Sequence, residues 1–183
     1  MYKGKKLGVV TAAYNEEYFI KQVVETMPSF VDRIYVTNDA STDKTGDILA
    51  SIKDERLVII THPKRMGAGA ATLSGHKRAR EDKMDVVAIM AGDGEMDPAM
   101  LGKVLDPVVE GRADYAKGNR FSVPGHKREM SAWRVFGSFL LTYLTRIASG
   151  YWHVADPQHG YTAISREALG KIDLDKVEKG FAF

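Results

Sequence analysis

Three acidic side chains on alternate residues, Asp93, Glu95 and Asp97, follow directly on an unbroken apolar run, Val86-Val87-Ala88-Ile89-Met90. Such a run is the pattern of a strand buried on both faces of a sheet. The chain then breaks at Gly92, and Pro98 opens what reads as a helix. In open α/β sheets ligands bind beyond the carboxyl ends of the strands. Carboxylates spaced in this way at such an end suit a hard divalent cation held through oxygen ligands, and such a cation is the usual counter-charge of a diphosphate.

The elements that must position these groups follow from the pattern of apolar residues. Leu7 to Ala13 reads as a first buried strand, with Tyr14-Asn15-Glu16-Glu17 at its carboxyl end leading into a helix to about Met27. Val31 to Thr37 reads as a second strand running into Asn38-Asp39, with Ser41 or Thr42 as the cap of a helix to about Ile52. A third strand, Leu57 to Thr61, is followed by the loop His62 to Gly69 and a helix from Ala70 to Asp82. The Val86 strand and a helix from Pro98 to about Val109 complete the alternation. Strand and helix at these spacings predict a mostly parallel α/β sheet with right-handed crossovers and helices on its faces. Beyond Ala113 the chain is less regular: a short strand at Asp114 to Gly118, a polar stretch from Ser122 to Glu129, a helix over Ser131 to Gly150, and a strand from Thr162 to Ser165 with a helix starting at Arg166. One domain is expected over residues 1–183, with a nucleotide half at 1–112 and an acceptor half at 113–183. The apolar ending KGFAF leads to the expectation that a longer natural protein continues there.

Composition narrows the function classes. Lys and Arg total 26 against 24 Asp and Glu, a net charge of +2, so no general polyanion field exists and nucleic acid is not an expected partner. The chain has no cysteine, which removes disulfide frameworks, thiolate zinc sites and cysteine nucleophiles together. MYKGKKLGVV lacks a sustained apolar core and a small-residue cleavage site, so it is not read as a signal peptide. No apolar run is long enough to cross a bilayer. A cytoplasmic location, at the cytoplasmic face of a membrane if the acceptor is a lipid, is the expectation.

The polar clusters at Tyr14 to Glu16, Asn38-Asp39, Arg65 to Gly69 and Asp93 to Glu95 each follow a predicted strand and would line one rim of the sheet. Any one alone is ordinary turn chemistry; four on one rim favour a site. Gly67-Ala68-Gly69 resembles a dinucleotide fingerprint only in some respects, because Thr72 stands at the third glycine position and the loop follows the third strand. The better reading is that small residues let Arg65 and a helix N-terminus approach a diphosphate. The five histidines match no zinc spacing. His62, His76, His126 and His153 read as surface or packing residues, and His159 alone is kept as a site candidate. Trp133, Phe136, Phe139, Leu140, Tyr143 and Leu144 read as the core face of a helix, with a bilayer surface as the second reading.

Taken in order, these motifs resemble the family 2 glycosyltransferases of the GT-A fold, a Rossmann-like nucleotide-binding architecture, and most closely the dolichol-phosphate mannose synthase-like branch. The resemblance runs from Val9 to Phe183. TAAYNEE is similar to the opening nucleotide motif, which implies that Ala12, Tyr14 and Glu16 contact the base; TNDASTDKT is similar to the Asp-Asp-Gly-Ser-Thr-Asp motif, which implies the same of Asp39. RMGAGAATLSG matches the glycine-rich segment beside the sugar nucleotide, where Arg65 and Gly67 stand, and Gly92 and Asp93 belong to the metal motif. YAKGNRF resembles the segment whose arginine meets the acceptor phosphate, here Arg120, and Arg134 matches a second such arginine. DPQHGYTAI resembles the motif beside the acceptor. Two departures stand out. Ala91 replaces the first Asp of the metal motif and Glu95 its Gln, which leaves Asp93 and Glu95 as expected ligands of Mn2+ or Mg2+; Asn38 replaces the first Asp of its own motif.

The resemblance implies metal-dependent, inverting transfer of a sugar from a UDP- or GDP-sugar to an acceptor, a polyprenyl or dolichyl phosphate. An anionic phosphate acceptor needs positioning by Arg120 and Arg134; a hydroxyl acceptor needs a base, for which Asp156 is the candidate. A sugar-phosphate nucleotidyltransferase and a non-catalytic sugar-nucleotide-binding module are the alternatives. The first lacks a glycine-rich lysine motif after the first strand, and the second is favoured by Ala91.

Overall fold

The computed structural model describes residues 1–94, 96–119, 132–152, 156 and 159–177. Alternation along the strands explains the layering. In β1 (Leu7–Ala13), Leu7, Val9 and Ala13 face one side of the sheet and Val10 the other; β2 (Arg33–Asn38) sends Ile34 and Val36 to the first side and Tyr35 to the second. In β4 (Val86–Ile89), Val86 and Ala88 part from Val87 in the same way. The first face is covered by α1 (Ile20–Glu25) through Ile20, Val23 and Val24, and by α4 (Leu101–Val109) through Leu101, Val104, Leu105 and Val108. The second face carries α3 (Ala68–Glu81), which contributes Leu73 and Ala79, and α6 (Arg166–Lys171), which contributes Leu169. A strand buried on both faces must be apolar throughout, which is why β1 and β4 read so clearly in the sequence.

Among the described residues the sheet has six strands in the order β3-β2-β1-β4-β6-β5, with β3 at Leu57–Thr61, β5 at Tyr115–Lys117 and β6 at Thr162–Ser165. β3, β2, β1 and β4 are parallel, whereas β6 runs antiparallel between β4 and β5. The chain moves outward from β1 through β2 to β3 and then returns to the far side of β1 as β4. The strand order therefore reverses between β1 and β4, the kind of point at which α/β sheets open a crevice. The α/β class, mostly parallel with helices on both faces, is as the sequence predicts.

Several boundaries shift, each for a local reason. β2 begins at Arg33 rather than Val31, because the Asp32 carboxylate turns back to accept the Leu7 backbone N–H at 2.8 Å. α1 starts at Ile20, after a turn in which Asn15 holds a positive φ of 58° and the Phe19 and Ile20 amides donate to the Glu16 carbonyl. α2 (Thr45–Ser51) is not capped by Ser41 or Thr42, because both are engaged with Asn15 and Asp43 accepts the Thr45 amide instead. α3 starts two residues early at Ala68, with Gly67 as its N-cap. The helix expected from Pro98 opens as a 3-10 turn, Pro98–Met100, whose first amide the Asp97 side chain accepts. Leu105 is fully buried in the larger cluster. Leu105→Ala should therefore cost about 2–5 kcal/mol of unfolding free energy, read by urea denaturation.

Candidate active site

The loops that follow β1, β2, β3 and β4 meet at the carboxyl end of the parallel strands. The first two are stapled to each other. Asn15 donates its amide to Ser41 Oγ at 3.1 Å and accepts the Thr42 amide at 2.9 Å, the Glu16 amide donates to Thr45 Oγ1 at 2.8 Å, and the Glu17 carboxylate accepts the Lys44 amide at 3.1 Å. β4 comes in close beside β1. A Cβ on Gly92 would lie 2.8 Å from the Ala12 carbonyl oxygen, so only glycine allows the β4 exit to lie against the β1 exit. Ala12, Tyr14, Glu16, Gly92 and Asp93 are brought together in this way.

Asp39, at the end of β2, is the most tightly held group of the rim. Its side chain is 3% exposed. Oδ1 accepts from the Met66 amide at 2.8 Å and pairs with His62 Nδ1 at 2.7 Å, and Oδ2 accepts from the Gly67 amide at 2.8 Å. His62 is itself buried and reaches on to Ser74 Oγ at 2.9 Å through Nε2. Gly67 sits at φ 96°, a conformation side chains disfavour, so the loop can turn into α3 there. The neighbouring Arg65 guanidinium lies 4.1 Å from the centroid of the Tyr14 ring, a stacked cation-π contact. Arg65, Gly67, Asp39 and Tyr14 thus form one assembly, as their rim positions imply. Burial pushes the Asp39 carboxyl up, but the His62 bond and the two backbone amides more than offset it and its pKa falls below the ordinary 3.8.

The acidic side of the rim is less settled electrostatically. Glu16 is half-buried, and its pKa is raised first by burial and then by repulsion from Asp93 and Asp43. Among the described residues no three His, Asp or Glu side chains are grouped closely enough to hold a metal ion on their own. Glu95 and Arg120 lie outside the described residues, and so does the side chain of Arg134, although its backbone belongs to α5 (Ala132–Ser149).

The second half of the chain supplies the rest of the rim. β6 runs antiparallel to β4, so its first residue, Thr162, pairs with Ile89 and the segment before it meets the loop that leaves β4, where a Cβ on Gly160 would lie 3.1 Å from the Met96 side chain. Tyr161 is buried and donates through its hydroxyl to the Asp97 carbonyl at 3.3 Å, and the Gly118 amide donates to the Tyr161 carbonyl at 2.7 Å. The His159 ring packs edge-on against Tyr161 at 6.1 Å. Asp156 is 2% exposed, and its carbonyl accepts from the His159 amide at 3.5 Å.

Two readings change. His62, set aside in the sequence as a surface or packing residue, is the partner of Asp39; its place as the first residue after β3, level with the residues that follow β2, was the available signal. Of the residues read as the core face of α5, Phe139, Leu140, Tyr143 and Leu144 are all exposed, Phe139 by 71%, whereas the side chains of Trp133 and Phe136 lie outside the described residues. His76, by contrast, is buried and bonded to the Thr72 carbonyl, as a packing residue should be.

A groove at the opposite end of the sheet, bounded by Lys5, Asp85, Arg112 and Arg166, is a poorer candidate. Its two arginines are already engaged, Arg166 with Asp85 at 3.1 Å and Arg112 with Glu110 at 2.8 Å.

Residues 8–173 match the family described as glycosyl transferase family 2. The chain belongs to this family. The expectation of a family 2 glycosyltransferase, drawn from the motifs, is met. Among family 2 relatives, a polyprenol monophosphomannose synthase of Mycolicibacterium smegmatis is 34% identical over 96% of this chain and 68% of its own length. A UDP-N-acetylglucosamine–dolichyl-phosphate N-acetylglucosaminyltransferase of Methanococcus voltae is 29% identical over 90% of this chain and 71% of its own length. Among solved structures, glucosyl-3-phosphoglycerate synthase of Mycobacterium tuberculosis, in complex with Mn2+, uridine diphosphate and glucosyl-3-phosphoglycerate, superposes with a TM-score of 0.67 at 21% identity. It covers 90% of this chain and 58% of that one, and shares the GT-A fold. The chain thus spans about two thirds of the curated relatives and less of the solved structure.

Asp39→Asn turns one acceptor into a donor facing the Gly67 amide and should cost about 2 kcal/mol or more near neutral pH. Because the folded-state pKa is depressed, the stabilisation by Asp39 is complete above the ordinary 3.8 and is lost as pH falls through the lower folded value. The gap between wild type and Asp39→Asn in urea denaturation should therefore be constant from neutral pH down to about pH 5 and narrow below 3.8.

Proposed function

We propose that this rim binds a nucleotide diphosphate sugar, donated as UDP or GDP, and that the chain transfers its hexose to a polyprenyl or dolichyl phosphate with inversion at the anomeric carbon. The observation that carries the reading is the meeting of Asp93 and Glu16 from the reversal point with the Asp39-held loop that seats Arg65 over Tyr14. One side of the crevice offers aromatic and cationic contacts for a base and a diphosphate, and the other offers carboxylates. The relatives named for lipid-phosphate acceptors support the choice of acceptor.

In the reaction, an acceptor phosphate oxygen attacks the anomeric carbon from the face opposite the leaving group. The new carbon–oxygen bond forms as the bond to the diphosphate breaks, and the nucleoside diphosphate departs with the electron pair. Residues 1–112 serve the donor and residues 113–183 the acceptor within a single domain. Asp93 and Glu95 would hold Mn2+ or Mg2+ together with diphosphate oxygens. The donor set fits a hard cation, since it is all carboxylate and the mutual repulsion of Glu16 and Asp93 is what a cation relieves. When bound, the metal would supply neutralisation of the departing diphosphate. A phosphate acceptor is already an anion and needs positioning rather than deprotonation, the role given to Arg120 and Arg134; Asp156 serves as base only if the acceptor is a hydroxyl.

The lipid acceptor also gives α5 a purpose. Besides the four residues named above it exposes Leu141 and Ile147, and Tyr151 and Trp152 follow at its end, Trp152 at 57% exposure. Tyr143 and Trp152 stack edge-on at 6.3 Å, and Arg146 lies in the last turn, with no acidic residue in the helix. Among the described residues no helix is long and apolar enough to cross a membrane. α5 is therefore assigned to the surface of the bilayer, at the cytoplasmic face, where aromatic and basic residues sit at the headgroup level.

One observation favours a sugar-nucleotide-binding module without transfer: Ala91 in place of a metal-motif carboxylate. A transfer assay with labelled UDP- and GDP-sugars and polyprenyl phosphate vesicles separates the two readings. Transfer should yield a lipid-soluble product, cease with a chelator, and fall about 100-fold or more in Asp93→Asn. Arg120→Ala should abolish transfer while leaving nucleotide affinity unchanged; nucleotide binding without product from any donor would leave the binding module.

A further inference from the structure

His62 lies outside the nucleotide motifs identified above, and Ser74, near the end of the glycine-rich segment, was given no role there, yet both are built into the centre of the rim. Asp39 Oδ1 meets two partners, the Met66 amide and His62 Nδ1, and the imidazole passes on through Nε2 to Ser74 Oγ in the second turn of α3. The loop that leaves β3 at His62 thus returns to Asp39 at Met66 and Gly67, and both ends are tied to one carboxylate. Arg65 sits inside that closed ring. Among the described residues, its exposed guanidinium is held over Tyr14 by the stacking contact and by the backbone on which it stands.

A carboxylate has a choice of rotamers, and an imidazole on one oxygen removes that choice. With His62 engaged, Oδ1 is filled and Oδ2 is turned to the Gly67 amide. Without it, Asp39 is free to rotate away and the Met66–Gly67 backbone loses its anchor. Ser74 acts likewise at one remove, because it fixes the ring plane of His62 from the body of the longest helix on that face.

We infer that His62 and Ser74 are positioning residues of the donor site: through Asp39 they fix the Met66–Gly67 backbone and so hold Arg65 over Tyr14 where a nucleoside diphosphate is bound. This rests on the donor-site reading given above. It predicts that removing His62 weakens nucleotide binding without a direct contact to the nucleotide. It also predicts that asparagine, whose amide nitrogen reaches the place of Nδ1, restores most of the loss because it still donates to Asp39.

The test is calorimetric titration of UDP and of GDP, each with Mn2+, into wild type, His62→Ala, His62→Asn and Ser74→Ala, well below every variant's melting midpoint. With whichever nucleotide wild type binds, His62→Ala should bind about tenfold more weakly, the scale of one hydrogen bond to a charged group. His62→Asn should return to within about threefold of wild type, and Ser74→Ala should weaken binding by a similar small factor. Nucleotide affinity unchanged in a folded His62→Ala overturns the inference, as does equal weakening in the alanine and asparagine variants. If His62→Ala does not fold, Ser74→Ala decides, and wild-type affinity there overturns it. Binding of neither nucleotide by wild type overturns the donor-site reading, and this inference with it, and is recognised because it is seen before any substitution is made.

Discussion

A single buried carboxylate, that of Asp39, ties together the ends of two neighbouring strands and the start of a helix. It stands at the end of β2, takes the imidazole that follows β3, and takes the two amides that lead into α3. A buried charge without partners would cost several kcal/mol; here each oxygen is met by donors, so burial fixes the geometry instead of opposing it. The consequence is a loop whose shape is set before any ligand arrives. Preorganisation of this kind reduces what binding must spend on ordering the protein.

The opposite side of the crevice has the reverse character. Glu16 and Asp93 repel each other across the reversal point between β1 and β4. A site that is hydrogen-bonded on one wall and carries mutually repelling carboxylates on the other is polarised toward a ligand carrying both a flat base and a charged diphosphate with its cation. The β6 insertion then brings Tyr161, His159 and Asp156 to the same edge because it runs against the parallel strands. The antiparallel strand is thus the device that lets a later segment of the chain meet the donor crevice.

Much of this was legible in the sequence where one physical rule dominated. Both-face burial made β1 and β4 readable as apolar runs, and the four polar clusters fell on one rim because parallel strands all end on the same side. Boundaries were less legible wherever a side chain bonded across loops. Ser41 looked like a helix cap but serves Asn15, and Asp32 shortens β2 by turning back to Leu7. His62 was passed over because its importance lies in a partner 23 positions away, which no local spacing displays. α5 was read inward because its composition resembles a core helix; only the fold shows that nothing described covers its apolar side chains.

The central claim, that the carboxyl rim of the parallel strands holds the nucleoside diphosphate, is tested most directly by amide NMR during titration with UDP or GDP and Mg2+. The account predicts shifts concentrated at Tyr14, Glu16, Asp39, Met66, Gly67, Gly92 and Asp93, in the loops after β1, β2, β3 and β4 at once. Shifts confined to Lys5, Arg112 and Arg166, around the groove at the other end of β4, would contradict it.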